Sequence, residues 1–121
     1  MSHAAALPAT MRAMAIDRFG HPGNAACHTV ATPQPAPGEL LVRVAVVGVN
    51  PADWKALMGW LPFVGSTMPL VTGFDGAGTV VALGEGVTGI AIGDRVGFMS
   101  AIALGRGGSF AEFAVCLADH A

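Results

Sequence analysis

The chain has 121 residues, of which 53% are hydrophobic and only 12% are charged, so one small domain with a well-filled core is expected. Its formal net charge of −2 comes from six scattered Lys and Arg residues and eight scattered Asp and Glu residues; without a basic stripe, we expect no nucleic-acid partner. There is no apolar run of about 18 residues, and the N-terminus lacks the pattern of a signal peptide. We therefore expect neither a membrane span nor a cleaved leader.

The N-terminal half predicts strands. After a flexible N-terminus at residues 1–10, the segment MRAMAI at 11–16 predicts a first strand, and residues 25–31 predict a weaker second one. Three prolines at alternate positions in TPQPAPGE predict an extended connector. Residues 40–49, LLVRVAVVGV, predict the strongest strand. Both of its faces are expected to be largely buried, one formed by Leu40, Val42, Val44 and Val46 and the other by Leu41, Ala45 and Val47.

At NPADWKALMG the spacing of apolar residues changes from that of a strand to that of a helix, which predicts a short helix near 51–58. Asn50 is a good N-cap, Pro51 suits the first helical position, and Gly59 can end the helix. At 100° per residue, one apolar stripe should face inward; it consists of Trp54, Leu57 and Met58.

The remainder alternates strands and turns, in VTGFDGAGTVVAL, DRVGFMS and GSFAEFAVCLADH. There is no internal repeat and no linker that would mark a second domain. The predicted architecture is mainly β, a partly open barrel with one or more short helices.

The segment GEGVTG at 84–89 has the G-x-G-x-x-G spacing of dinucleotide-binding loops. That fingerprint requires a helix immediately afterwards, whose N-terminal amides hold the pyrophosphate. The following residues, IAIGDRVGF, are rich in glycine and β-branched residues, which disfavour a helix. We therefore interpret GEGVTG as turns between strands.

A few side chains are candidates for chemistry. Lys55, the only lysine, is either a solvated helix residue or a cation and proton donor at a cleft. The four histidines share no metal-ligand spacing, so no metal site is predicted. Cys27 and Cys116 are far apart in the sequence without a CxxC pair, which favours reduced, buried thiols in a cytoplasmic protein.

Three ordered blocks resemble a known family: PAPGELLVRVAVVGVNPADWKALMG, then VTGFDGAGTVVALGEGVTGIAIGDRV, then GSFAEFAV. They are similar to the N-terminal GroES-like catalytic domain of the medium-chain dehydrogenase/reductase superfamily, in its zinc-independent, quinone-oxidoreductase-like branch. The resemblance runs from about Arg12 to the end and implies a GroES-like, partly open β-barrel at 11–121. In that branch NADPH transfers hydride to a quinone, enone or other conjugated carbonyl.

The resemblance also implies that zinc is absent. Zinc-dependent relatives carry a cysteine ligand where this chain has Asn50, and a His-Glu pair where it has Phe74 and Asp75. They use a Ser or Thr proton relay where Ala52 stands. The cysteine-rich structural zinc lobe of those relatives has no counterpart here.

By the same resemblance, Asn50 and Lys55 are candidate catalytic residues, and Asn50 with Pro51 would border the cofactor. Trp54, Trp60 and Phe63 would form the wall of a substrate pocket. Family members continue into a Rossmann domain where this sequence ends, so NADPH is expected to bind only together with that domain. The isolated chain is then expected to be inactive and to form homo-oligomers through uncovered apolar surface. The alternative is a stand-alone GroES-like barrel used for binding or assembly without catalysis.

Overall fold

A computed structural model describes residues 6–64 and 67–121. These residues form seven strands and one α-helix, with three short 3-10 helices. The strands are β1 (Thr10–Ile16), β2 (Ala26–Ala31), β3 (Glu39–Val47), β4 (Leu70–Val71), β5 (Asp75–Leu83), β6 (Arg95–Met99) and β7 (Phe113–Leu117), and the helix is α1 (Pro51–Leu57). The 3-10 helices span Pro22–Asn24, Ala101–Leu104 and Ala118–His120.

Two antiparallel sheets make up the fold. One has the strand order β2-β1-β4 and the other β6-β5-β3-β7. The chain just before β7 joins them, because Met14 donates its backbone N–H to Phe110 at 2.8 Å and Val44 donates to Glu112 at 2.9 Å. The described residues do not close into a barrel, which confirms the predicted mainly β, partly open architecture.

The prediction that both faces of β3 are buried holds for only half of the strand. Leu40, Leu41 and Val42 are fully buried, with Leu41 in a different apolar cluster from the other two. Val46 and Val47, in contrast, are 64% and 39% exposed. The reason is that β7 pairs only with the first half of β3, while the second half lies beside the glycine-rich start of β5, which offers few side chains to cover it.

Helix α1 forms at the predicted place but buries a different face. Its buried residues are Asp53, Ala56 and Leu57, which follow the i, i+3, i+4 spacing of a single stripe. Trp54 is 42% exposed, so the prediction that it packs inward was wrong. The helix turns Asp53 inward, where its carboxylate accepts the backbone N–H of Asn50, and this places Trp54 on the outer side.

The segment GEGVTG lies in turns between β5 and β6, as predicted, and the chain enters β6 rather than a helix. Gly86 and Gly89 adopt positive φ angles of 83° and 81°, which glycine tolerates and other residues rarely do. The segment therefore lacks the helix terminus that a pyrophosphate site needs.

The predicted flexible segment at 1–10 lies partly outside the described ranges, which exclude residues 1–5. Residues 6–9 are exposed, and β1 begins at Thr10, one residue earlier than predicted. Within the described chain, no helix combines the length and apolar character needed to cross a bilayer.

Candidate functional site

Asn50 is held in place by two carboxylates. Its backbone N–H donates to Asp53 Oδ2 at 2.6 Å, and its backbone carbonyl accepts the Asp53 N–H at 2.9 Å. Its side-chain Nδ2 donates to Asp75 Oδ1 at 3.2 Å, an oxygen that also accepts the N–H of Gly48 at 3.2 Å. Asn50 therefore links the start of α1 to the start of β5.

Asp53 is almost completely buried, with only 3% of its surface exposed, whereas Asp side chains are mostly exposed in proteins. Burial raises the pKa of Asp53, and the nearby Asp75 carboxylate acts in the same direction. The backbone N–H groups of Asn50 and Phe74 oppose this rise in pKa because they stabilise the charged form.

Lys55 lies against aromatic side chains on the outer surface of α1. Its Nζ is 5.8 Å from the centroid of the Trp54 ring, within the range of a cation–π contact. Trp54 packs edge-on against Trp60, with the ring centroids 5.3 Å apart and an interplanar angle of 72°. Trp60 and Phe63 are 57% and 52% exposed, so their aromatic faces are accessible to a ligand.

An open groove of about 540 Å³ lies beside Asp75, between the exposed end of β3 and the edge strand β6. Its walls are mostly apolar, and its titratable groups are Asp75 and His120. The apolar side chains in its lining are Val46, Val47, Ala77, Phe98 and Met99. The groove is thus suited to a ligand with an apolar body and a polar group near Asp75.

The predicted site residues fall into two groups. Asn50 is bonded to Asp75, which lines the groove, although Asn50 itself does not. Lys55 and Trp54 lie on α1, and Trp60 lies on the chain that follows it. Across the described ranges, no hydrogen bond or ion pair connects Lys55 to Asn50. Neither the tryptophans nor Phe63 line the groove, so a ligand would have to span both surfaces to contact all of these residues.

Sequence reasoning missed the two carboxylates that hold Asn50. The N-x-x-D spacing of Asn50 and Asp53 is that of a capping box, so the contact between these two residues could have been predicted from the sequence. In the sequence, Asp75 stands out only as a departure from a zinc-ligand pair. Its proximity to Asn50 arises from the pairing of β3 with β5, which the local sequence does not reveal.

The residues at the positions of the zinc ligands do not fit a zinc site. The Asn50 amide is engaged with Asp75, and Phe74 has no ligating atom. Among residues 6–64 and 67–121, no three His, Cys, Asp or Glu side chains cluster in a way that would hold a metal; His3 lies outside these ranges. The absence of zinc stays a prediction.

Both cysteines are free thiols, but only one is buried. Cys116 is fully buried in β7, while Cys27 is exposed on β2, so the prediction of two buried thiols was wrong for Cys27. β2 is an edge strand of its sheet, and four of its six residues are exposed.

The fold and the sequence have clear counterparts among known proteins. The alcohol dehydrogenase GroES-like domain family matches residues 36–121. An alcohol dehydrogenase of Schizosaccharomyces pombe is 40% identical over 91 residues, 75% of this chain and 26% of the relative. A chloroplastic quinone-oxidoreductase homologue of Spinacia oleracea is 36% identical over 107 residues, 87% of this chain and 32% of the relative.

A solved mycobacterial structure in complex with NADPH superimposes with a TM-score of 0.75 at 34% identity, covering 91% of this chain and 31% of that one. The chain thus spans about a quarter to a third of the length of these proteins. The family match covers β3 through β7 and includes α1 and Asp75. This chain therefore belongs to the alcohol dehydrogenase GroES-like domain family of the medium-chain dehydrogenase/reductase superfamily.

Proposed function

We propose that the chain is the substrate-side domain of an NADPH-dependent, zinc-independent oxidoreductase that reduces quinones, enones or related conjugated carbonyls. The observation that carries this proposal is the placement of the only lysine beside two accessible indoles, 5.8 Å from the centroid of one of them. Flat conjugated carbonyls stack on aromatic faces, and a nearby cation stabilises negative charge on their oxygen. The quinone-oxidoreductase name of the spinach relative supports this substrate class.

In this proposal Trp54, Trp60 and Phe63 bind the apolar body of the substrate, and Lys55 interacts with its carbonyl oxygen. NADPH, when bound, would supply the hydride for addition to a carbon of the conjugated system. The electron pair displaced by this addition moves to the oxygen, where the Lys55 ammonium stabilises the charge and can donate a proton. Asn50 and Pro51 are proposed to border the nicotinamide end of the cofactor.

NADPH is proposed on the strength of the mycobacterial relative solved with it. GEGVTG does not fit the pyrophosphate, because it lies in turns with no helix after it. The phosphates would thus be held by a nucleotide-binding domain rather than by these turns. Zinc independence is proposed because the Asn50 amide is already bonded to Asp75 and because Phe74 and Ala52 offer neither a ligand nor a relay hydroxyl.

Tryptophan fluorescence tests substrate binding directly, since both tryptophans of the chain lie in the proposed pocket. A Cys27→Ser background prevents the exposed thiol from adding to the quinone. Titration with 9,10-phenanthrenequinone should give saturable quenching, and Lys55→Met should weaken the binding. Arg95→Met, which removes an exposed cation on β6, is the control. Quenching that stays linear with quinone concentration and equals that of free tryptophan amide would refute the substrate pocket.

A non-catalytic binding or assembly module is the second candidate, because several large apolar side chains are exposed together near the groove. Val46, Val49 and Met99 are 64%, 85% and 55% exposed. Such surface favours association, and we propose that the isolated chain forms homo-oligomers through it. Light scattering that reports a monomer at high concentration would remove the support for this candidate.

We further propose a cytoplasmic location, without a nucleic-acid or membrane partner. The supporting observation is the presence of two free thiols, which are typical of reducing compartments.

A further inference from the structure

The position of Asn50 depends on polar contacts rather than on apolar burial. Its neighbour Val49 is 85% exposed, and Val46 and Val47 before it are also exposed. Hydrophobic packing therefore fixes little of the connection between β3 and α1. The contacts that do fix it are the bonds of Gly48 and Asn50 to Asp75 and the bond of Asn50 to Asp53.

Asp75 sets the orientation of the Asn50 side chain. A carboxylate only accepts hydrogen bonds, whereas an amide has one donating and one accepting end. The amide nitrogen of Asn50 must therefore face Asp75, as the 3.2 Å contact shows. An uncharged partner with both kinds of group would allow either orientation.

Gly48 permits this arrangement because it has no side chain. A Cβ at position 48 would lie 2.5 Å from Asp75 Oδ1, which is too close for an unshifted carboxylate. The backbone of Gly48 thus approaches Asp75 closely enough to donate its N–H. Any larger residue there would displace the carboxylate that holds Asn50.

The two carboxylates are kept close together although this opposes folding. Asp53 is 3% exposed, and both its burial and the Asp75 charge disfavour its ionised form. An exposed carboxylate or amide in the first turn would cap the start of the helix at lower cost. Arrangements that perturb carboxyl groups in this way are concentrated at functional sites.

We propose that Asp53 and Asp75 are positioning residues that together set the place and the side-chain orientation of Asn50 next to the groove-lining Asp75. The proposal rests on the proposed function in one respect, namely that Asn50 borders a ligand there. Asp53 fixes the backbone of Asn50, Asp75 fixes its amide, and Gly48 allows Asp75 to approach.

The test is nuclear magnetic resonance of the 15N-labelled 121-residue chain, with the side-chain NH2 signal of Asn50 as the readout. Asp75→Leu should move this signal and speed its hydrogen exchange by about tenfold, the loss expected for one charge-assisted hydrogen bond. Asp75→Asn keeps an acceptor of the same shape and should give a smaller change. Gly48→Ala should resemble Asp75→Leu, because it displaces the carboxylate.

Asp94→Asn is the matched control, since Asp94 also accepts a backbone N–H, from Ala91 at 2.9 Å, in a turn remote from Asn50. It should leave the Asn50 signal unchanged. If Asp75→Leu does not fold, Asp75→Asn and Gly48→Ala decide the matter. An Asn50 signal that is the same in the wild type and in every folded Asp75 and Gly48 variant would overturn the proposal.

The measurement contains neither substrate nor cofactor, so its outcome is independent of the quinone titration. A negative result here leaves the proposed reduction of conjugated carbonyls standing. A negative quinone titration, in turn, leaves the positioning of Asn50 by the two carboxylates intact.

Discussion

Lys55→Met separates the catalytic from the structural interpretation of the only lysine. The substitution removes the charge but keeps an unbranched apolar side chain of similar length, so packing along α1 is preserved. It eliminates the cation–π interaction that Lys55 Nζ makes with the Trp54 ring at 5.8 Å. Trp54 is 42% exposed, and a cation–π interaction at such a site contributes about 0.5 kcal/mol.

The expected loss of stability is therefore small. With an unfolding entropy of roughly 2 cal/mol/K per residue, about 0.5 kcal/mol corresponds to a decrease of roughly 2 °C in Tm for a chain of this size. The expected loss of rate is much larger, because a charge-stabilising donor removed from a closed site costs about 10²-fold in turnover, or about 2.7 kcal/mol. The effect on the activation free energy should thus exceed the effect on the free energy of unfolding by roughly 2 kcal/mol if Lys55 is catalytic.

The assay pairs two measurements. Urea unfolding of the 121-residue chain gives the stability change, and turnover on a series of quinones and enones is measured in an enzyme that joins this chain to a nucleotide-binding domain. Arg95→Met controls for the loss of one positive charge elsewhere on the surface. If Lys55→Met leaves turnover unchanged on every active substrate, Lys55 is a solvated helix residue and not a catalytic one.

Four further predictions concern the metal, the cofactor and the buried titratable groups. Because the Asn50 amide is engaged and Phe74 has no donor atom, elemental analysis after chelator washing should find well below one zinc per chain; a value near one would contradict this. The isolated chain should not reduce quinones, should bind NADPH with about millimolar affinity or weaker and should self-associate. Micromolar affinity in calorimetry, from a chain that light scattering shows to be a clean monomer, would argue against the last two of these expectations. Burial raises the pKa of Asp53 above its ordinary value of 3.8, so the folded chain holds this proton more tightly than the unfolded chain and the contribution of Asp53 to stability falls as the pH rises above that value. Asp53→Asn should remove this contribution, measured by urea unfolding at a series of pH values from 3.8 upward, and a pH profile parallel to that of the wild type would refute it. Burial also raises the pKa of Cys116 to about 11. A thiol reagent at about pH 8 should therefore modify the exposed Cys27 rapidly and Cys116 only on unfolding. Equal rates of modification in the folded chain would show that Cys116 is accessible.

Local chemistry is enough to predict most of the elements of this fold. Pro51 after Asn50 specifies where α1 begins, and the helix runs from Pro51 to Leu57 as expected. The glycines of GEGVTG specify turns, which the positive φ angles of Gly86 and Gly89 confirm. Such signals act within a few residues of the chain, so they can be interpreted without knowing what packs nearby.

Whether a residue is buried, in contrast, depends on which other parts of the chain pack against it. The sequence from Leu40 to Val47 is apolar apart from Arg43, yet Val46 is 64% exposed because β7 pairs with the strand only as far as Arg43. Trp54 is a large apolar residue on a short helix, yet it faces outward because Asp53 is turned inward to bond Asn50.

The candidate site divides in the same way. The sequence, through its resemblance to a family, singled out Asn50 and Lys55 and predicted the absence of zinc ligands. The tertiary structure alone brings Asp75 to Asn50, across 25 residues of sequence, through the pairing of β3 with β5. It also shows that Lys55 lies beside Trp54 rather than beside Asn50. Residue identity determines which groups are present, but the distances between them are determined by strand register and helix rotation, which are set by packing of the whole chain.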